Sequence, residues 1–256
     1  MKGRVDGGGG SRLLLTLLAA GAVLLAACQT ETAVPTGDEA LAYGYSVPFE
    51  EAEGLPYPVT MPSALAGRQV YEDACYRCHT GPEAEPVDFT DRDWNWQVTP
   101  GQLFQMVAHG RDGHPSMSST LSVVEMWDSV AYVWSLNMPD PDTLALAAIT
   151  YGNNCTVCHG KTGFGNGPLA HNLYPKPQNF TDRKVMSEFT NEYLYFRITE
   201  GGQFEEIPDS IRQSMPRPDL HAQRWSAMPV WRGVLTPEER RLIIDHLRSL
   251  TIKIVE

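Results

Sequence analysis

Two C-x-x-C pairs, each followed directly by histidine, hold the residues in this chain best suited to chemistry. Cys75-Tyr-Arg-Cys78-His79 recurs 80 residues later as Cys155-Thr-Val-Cys158-His159. Such pairs admit disulfides, half zinc sites, or covalent attachment of haem. A thioredoxin-like redox site needs a βαβ setting, and none is evident. Zinc needs two pairs converging on one ion, whereas each pair here sits in its own repeat with its own His. C-x-x-C-H is the attachment signal of c-type haem. The two thiols add to the two vinyl groups of one porphyrin, and two intervening residues let one helical turn present both. The adjacent imidazole then lies under the iron as an axial ligand. Two covalent haem c groups are expected, one on Cys75, Cys78 and His79, the other on Cys155, Cys158 and His159.

The second axial ligand decides what such an iron can do. A side chain there confines it to changing oxidation state, whereas an open position lets it bind a small molecule. A thioether suits haem iron and raises its potential relative to two imidazoles. The expected ligands are Met117, in Gly113-His114-Pro115-Ser116-Met117, and Met228, in Ala227-Met228-Pro229. Both lie in the loop before the closing helix of their repeat. His114 competes with Met117, and Met215 with Met228. Met106 and Met126 read as core. His109, His171, His221 and His246 read as surface or packing residues.

The elements that must position these groups also repeat. Pro86-x-x-Phe89-Thr90-Asp91-Arg92 returns as Pro177-x-x-Phe180-Thr181-Asp182-Arg183, and the same offset pairs Thr99 with Thr190, Leu103 with Leu194 and Gly110 with Gly201. A larger offset pairs Leu121-Ser122 with Leu235-Thr236 and Ser135-Leu136 with Ser249-Leu250. The order never changes while the offset grows, so the second copy holds two insertions. Helices are expected over 63–76 and 143–156 leading into the motifs, and over 100–108 and 191–199. Each copy closes with a capped amphipathic helix, opened by Ser122-x-x-Glu125 and by Thr236-Pro237-Glu238-Glu239. Val123, Met126, Trp127, Val130 and Val133 or Trp134, and likewise Leu242, Ile243, His246, Leu247 and Leu250, follow helical spacing and read as core.

Ahead of the repeats, Lys2, Arg4 and Arg12 precede an apolar run from Leu13 to Ala27, short for a membrane span and typical of a secretory signal. The run ends in Leu25-Ala26-Ala27-Cys28, which resembles a bacterial lipobox. That resemblance implies cleavage before Cys28 and lipidation of Cys28, holding the protein on the extracytoplasmic, periplasmic side of the membrane. Loss of residues 1–27 removes three basic residues and one acidic residue and moves the formal charge from −11 to −13. An acidic surface of this kind disfavours nucleic acid and favours basic docking partners. Residues 29–60 carry four prolines, six acidic residues and no Lys or Arg. This composition suits an extended tether reaching somewhat under ~100 Å. Tyr43, Tyr45, Phe49 and Tyr57 leave open a segment wrapped on the first repeat.

Helix, C-x-x-C-H, wrapping loop, Met-bearing loop and closing helix together make each repeat resemble a class I cytochrome c domain, over about residues 62–252. The resemblance implies an all-α fold of two tandem class I cytochrome c domains after a signal, lipid anchor and linker. The segments are 1–27 signal peptide, 28–61 lipidated Cys and tether, 62–139 domain 1 and 140–256 domain 2. In that fold the first and last helices cross, which sets Tyr71 near Val130 or Trp134 and Tyr151 near Leu247. The run Gly160-x-x-Gly163-x-Gly165-Asn166-Gly167-Pro168 is similar to the glycine-rich segment of many respiratory-chain cytochromes, with Asn166 where Asp is frequent, and reads as backbone wrapping close to the haem edge. Thr80 stands where Gly is usual in the first copy. The implied function is that of an electron carrier or electron-transfer subunit rather than an enzyme. Its donor would be a quinol-oxidising complex or dehydrogenase, and its acceptor a terminal oxidase, reductase or photosynthetic centre. Lipidated c-type subunits of the alternative complex III are similar. The competing class is a dihaem redox enzyme of peroxidase or thiosulfate dehydrogenase type. It would need one open haem with acid–base groups such as Glu205, Glu206 and His221 from the insertion 203–224. That insertion also reads as a docking loop, with Ile207, Pro208, Met215, Pro216 and Pro218.

Overall fold

The computed structural model describes residues 55–80, 87–111, 113–202, 208, 209, 211 and 226–254. The leader, Cys28 and the tether up to residue 54 lie outside the described residues. So do Met215, His221, Glu205, Glu206 and most of the 203–224 insertion. Among the described residues there are helices and two isolated bridges, but no strands. None of these helices is long and apolar enough to cross a membrane.

Ser63 accepts the Ala66 amide and starts α1 (Ala64–Val70), which runs through a π-helical turn, Tyr71–Cys75, into α2 (Tyr76–His79). A 3-10 turn at Trp94–Trp96 precedes α3 (Pro100–His109) and α4 (Val123–Ser135). The second half repeats the order: α5 (Pro141–Asn154), α6 (Thr156–His159), a 3-10 turn at Ala170–Asn172, α7 (Arg183–Met186), α8 (Asn191–Glu200) and α9 (Pro237–Ser249). Capping boxes form at Ser122/Glu125 and Thr236/Glu239, as the sequence predicts, and also at Thr99/Gln102. The helix expected from 143 begins at Pro141 instead. Asp140 accepts the amides of Asp142 and Thr143, and proline at the first helical position costs no hydrogen bond.

The leading and closing helices pack together in both halves, α1 on α4 and α5 on α9. The crossing in the first half is so close that a Cβ added to Gly67 would lie 1.7 Å from the Asp128 carbonyl oxygen. The equivalent place in the second half holds Ala147, fully buried. Replacing Gly67 by Ala is expected to push the helices apart and cost about 1–3 kcal/mol, the range for overpacking. Thermal unfolding of the holoprotein checks this, and an unchanged midpoint would show a looser crossing. On α4 it is Trp134 rather than Val133 that is buried, with Met126, Trp127 and Val130. Tyr71 meets Tyr132 on the same helix, at 5.1 Å between ring centroids. Tyr151 and Leu247 share one core cluster.

The two halves interlock. One apolar cluster gathers Trp94, Leu103, Phe104, Trp127 and Trp134, and the other Tyr151, Met186, Phe189, Leu194 and Ile243. Each borrows from the far half: Trp96 joins the second cluster, and Ile252 joins the first. Between them lies Arg248, 1% exposed. It donates to Asn191 Oδ1 (2.8 Å) and to the carbonyls of Met186 (2.8 Å) and Phe189 (2.6 Å), while its guanidinium lies 5.0 Å from the Trp134 ring centre. Arg92 pairs with Asp245 across the same boundary at 3.0 Å. The Ala64 amide donates to the Lys253 carbonyl at 2.9 Å, fastening the segment after α9 beside α1. The last residues of the expected tether also lie on this body. Tyr57 stacks on Trp127 at 4.7 Å and hydrogen-bonds Ser187, and Trp127 Nε1 donates to the Pro56 carbonyl.

Candidate haem sites

Both C-x-x-C-H motifs have the same local backbone. Cys75 (φ −113°, ψ −32°) and Cys155 (φ −110°, ψ −26°) mark the break before a single helical turn that ends on the histidine. Tyr71 and Tyr151, four residues before the first cysteine, each tie down the residue after the motif. Tyr151 Oη donates to the Gly160 carbonyl at 2.9 Å, whereas Tyr71 Oη meets the Thr80 hydroxyl at 3.1 Å. The Thr80 hydroxyl thus serves where the usual glycine would offer only backbone. Each motif histidine is backed by the Phe of the repeated Pro-x-x-Phe segment. His79 faces Phe89 at 5.1 Å, and His159 stacks on Phe180 at 4.5 Å and 22°. The repeat revealed these phenylalanines, but not that they support the imidazoles.

Burial holds both imidazoles below the ordinary histidine pKa; for His79 the nearby His114 adds to the effect. A neutral ring is what a metal ligand requires. His159 Nδ1 lies 3.2 Å from the Gln178 carbonyl oxygen. That oxygen can only accept, so Nδ1 carries the proton and Nε2 keeps a free lone pair. Burial pushes the Cys155 thiol up to about 12 and raises that of Cys75, so neither is poised as a reactive thiolate. Among the described residues, no three His, Cys, Asp or Glu side chains are grouped to hold a bare metal ion.

A cavity of about 330 Å³ lies beside the second motif. Cys155, Cys158 and His159 line it together with Met228, so the structure brings all four expected residues to one space. Phe189, Leu194 and Ile243 supply apolar wall, and Lys176 and Arg197 are its basic groups. The glycine-rich run wraps this site, with the Gly165 amide on the His159 carbonyl at 2.8 Å. An apolar slot with two thiols and a neutral imidazole at one wall and a thioether within its lining fits a covalently attached haem.

At the first motif, Cys78 is exposed and Cys75 half-buried. The loop after α3 folds back so that the Met117 amide donates to the Val107 carbonyl at 2.9 Å. From this loop the His114 ring comes within 6.0 Å of the His79 ring, between centroids, and one of its nitrogens, Nδ1, is buried without a hydrogen-bond partner among the described residues. Met117 is half-buried. Of the other predicted residues, Met126 is core, His109 and His171 are exposed, and His246 packs on Tyr151 at 4.7 Å.

Helices packed around C-x-x-C-H turns, with neutral imidazoles held by aromatic and backbone partners, define a c-type cytochrome. Residues 62–133 match the family described as cytochrome c oxidase, cbb3-type, subunit III. The chain is 28% identical over 221 residues to the cbb3-type cytochrome c oxidase subunit FixP of Azorhizobium caulinodans, covering 80% of this chain and 65% of that protein. It is 30% identical over 116 residues to FixP of Sinorhizobium medicae, covering 40% of each. With FixP of Bradyrhizobium diazoefficiens the identity is 26% over 231 residues, covering 84% of this chain and 69% of that one. The chain thus spans less than two thirds of the first two relatives. A chain of the Kuenenia stuttgartiensis reducing HAO-like protein complex aligns with a TM-score of 0.32 at 17% identity, covering 75% of this chain and all of that one, a likeness too slight to carry an argument.

Proposed function

We propose that the chain is a dihaem electron-transfer protein built from two tandem cytochrome c domains. One haem would be held by Cys75, Cys78 and His79 and closed by the 113–117 loop, the other by Cys155, Cys158, His159 and Met228. The observation that carries this reading is the cavity on which Cys155, Cys158, His159 and Met228 converge. When bound, the haems supply one-electron redox chemistry. The protein's own residues fix the imidazoles, exclude water from the apolar slot and, through Lys176 and Arg197, offer cationic partners for propionates. A protein ligand at each sixth position would favour a carrier over an enzyme. The FixP relatives point to a terminal oxidase of the cbb3 type as the assembly it serves, with electrons arriving from a quinol-oxidising complex or dehydrogenase. Lipidated Cys28 would hold it on the extracytoplasmic face of the membrane.

The test is the absorption spectrum of the reduced holoprotein with and without carbon monoxide. No change is expected, because a side chain from each loop would fill the sixth position of each iron. A change equal to about one haem would contradict the carrier reading and favour a dihaem enzyme with one open site.

A further inference from the structure

The two Met-bearing loops share a backbone register, and in that register the partner of Met228 is not Met117. In the second half the Trp231 amide donates to the Ile198 carbonyl at 3.3 Å, and in the first the Met117 amide donates to the Val107 carbonyl at 2.9 Å. Val107 and Ile198 are equivalent positions on α3 and α8, so Met117 is the counterpart of Trp231. The glycine that ends each helix gives the same answer. Gly110 and Gly201 hold φ of 69° and 68°. A Cβ on Gly110 would meet the His114 carbonyl oxygen at 2.4 Å, and one on Gly201 the carbonyl oxygens of Pro229 at 2.6 Å and Met228 at 2.7 Å, while the next amide donates to His114 (from Arg111, 3.0 Å) in the first half and to Met228 (from Gly202, 2.9 Å) in the second. His114-Pro115 therefore superimposes on Met228-Pro229 without a gap, and both loops run unbroken into the caps Ser122 and Thr236.

We infer that His114 is the second axial ligand of the first haem, which makes that haem bis-histidine while the second is histidine–methionine. The inference rests on the dihaem reading above. Besides the register, two observations support it. The His79 and His114 rings lie 6.0 Å apart at 47°. Two imidazoles sharing one ion have ring centres roughly 6 Å apart, from about 2 Å per metal–nitrogen bond and roughly 1 Å from nitrogen to ring centre. Among the described residues His114 also buries Nδ1 with no hydrogen-bond partner, as His246 does Nε2, and an orphaned nitrogen 6.0 Å from the motif imidazole, between ring centres, is one that a bound group could satisfy.

The consequence is an order of potentials. A thioether ligand raises the potential relative to a second imidazole, so the first haem sits below the second. With the haems held in this way, one electron would pass from the first to the second, given a one-electron donor at the first site and a one-electron acceptor at the second.

Electron paramagnetic resonance and near-infrared magnetic circular dichroism of the oxidised full-length holoprotein read the ligand pairs directly, beside a measured haem count. One bis-imidazole iron and one imidazole–thioether iron are expected. Met117→Leu should leave both signatures in place. His114→Met should replace the bis-imidazole signal by a second thioether signal and raise the lower of the two potentials alone. Two thioether-ligated irons in the wild type, one of them lost in Met117→Leu, would overturn the assignment of His114 and leave the dihaem reading intact. Fewer than two haems per chain would overturn the dihaem reading, and the inference with it. The wild-type spectra decide the matter even if a variant fails to fold.

Discussion

A protein in which Cys155 and Cys158 are both replaced by alanine is expected to carry one haem instead of two and to lose its second half as a folded unit. The two thiols line the cavity of about 330 Å³ around which α5, α8 and α9 are arranged. Without an occupant, apolar groups such as Leu194 and Ile243 would be left facing water or unfilled space, which destabilises the packing around them. Small domains are stable by only about 5–15 kcal/mol, so losing the group around which the second core is packed is a large fraction of that margin. Circular dichroism should show the loss of helix, and pyridine haemochrome analysis should show half the haem of the wild type. The corresponding change at Cys75 and Cys78 should remove the other half. Full haem content after loss of either pair would contradict the assignment of one haem to each motif.

The second large effect is expected at Arg248. Its guanidinium is buried between the halves, where desolvation pulls its pKa down to about 9 against the opposing pull of Asp245. It remains charged at neutral pH and answers three acceptors, Asn191 Oδ1 and the carbonyls of Met186 and Phe189. Arg248→Met keeps much of the volume but removes the three hydrogen bonds donated to those acceptors and the contact on Trp134. The expected cost is about 3–5 kcal/mol, the range for breaking a buried polar network from one side. Trp134 belongs to the first cluster and the Arg248 acceptors to the second half, so the change should also uncouple the two. Denaturant unfolding followed by haem absorbance and tryptophan fluorescence should show two separated transitions in place of one. A single transition at the wild-type midpoint would mean that the contact does not join the halves.

Much of this fold was legible because the chain says things twice. The repeated Phe-Thr-Asp-Arg segment, the paired capping signals and the doubled motif point to the same elements in each half, and the helix caps sit where the signals stand. At the first site the sequence leaves Met117 and His114 in competition. Methionine is the side chain that chemistry favours there, so Met117 attracted the assignment. Two insertions in the second copy obscure the register in which His114-Pro115 aligns with Met228-Pro229. The available signal was the ungapped match running back from the two caps. The join between halves was hidden for a different reason. Arg248 and Asp245 lie on what an amphipathic pattern reads as the wet side of α9, and only the packing of the first half against that side turns them into buried groups. Asp140 marks a smaller lapse of the same sort, where an N-cap followed by proline outranked the apolar spacing that begins at Thr143.

The central claim is that one polypeptide carries two covalently attached haems, one on each C-x-x-C-H. Intact-mass spectrometry of the denatured holoprotein, followed by mapping of the haem-bearing peptides, tests it most directly. The account predicts a mass increased by two haems, one on the peptide holding Cys75 and Cys78 and one on the peptide holding Cys155 and Cys158. A mass increased by one haem or none, or a disulfide within either pair, would contradict it.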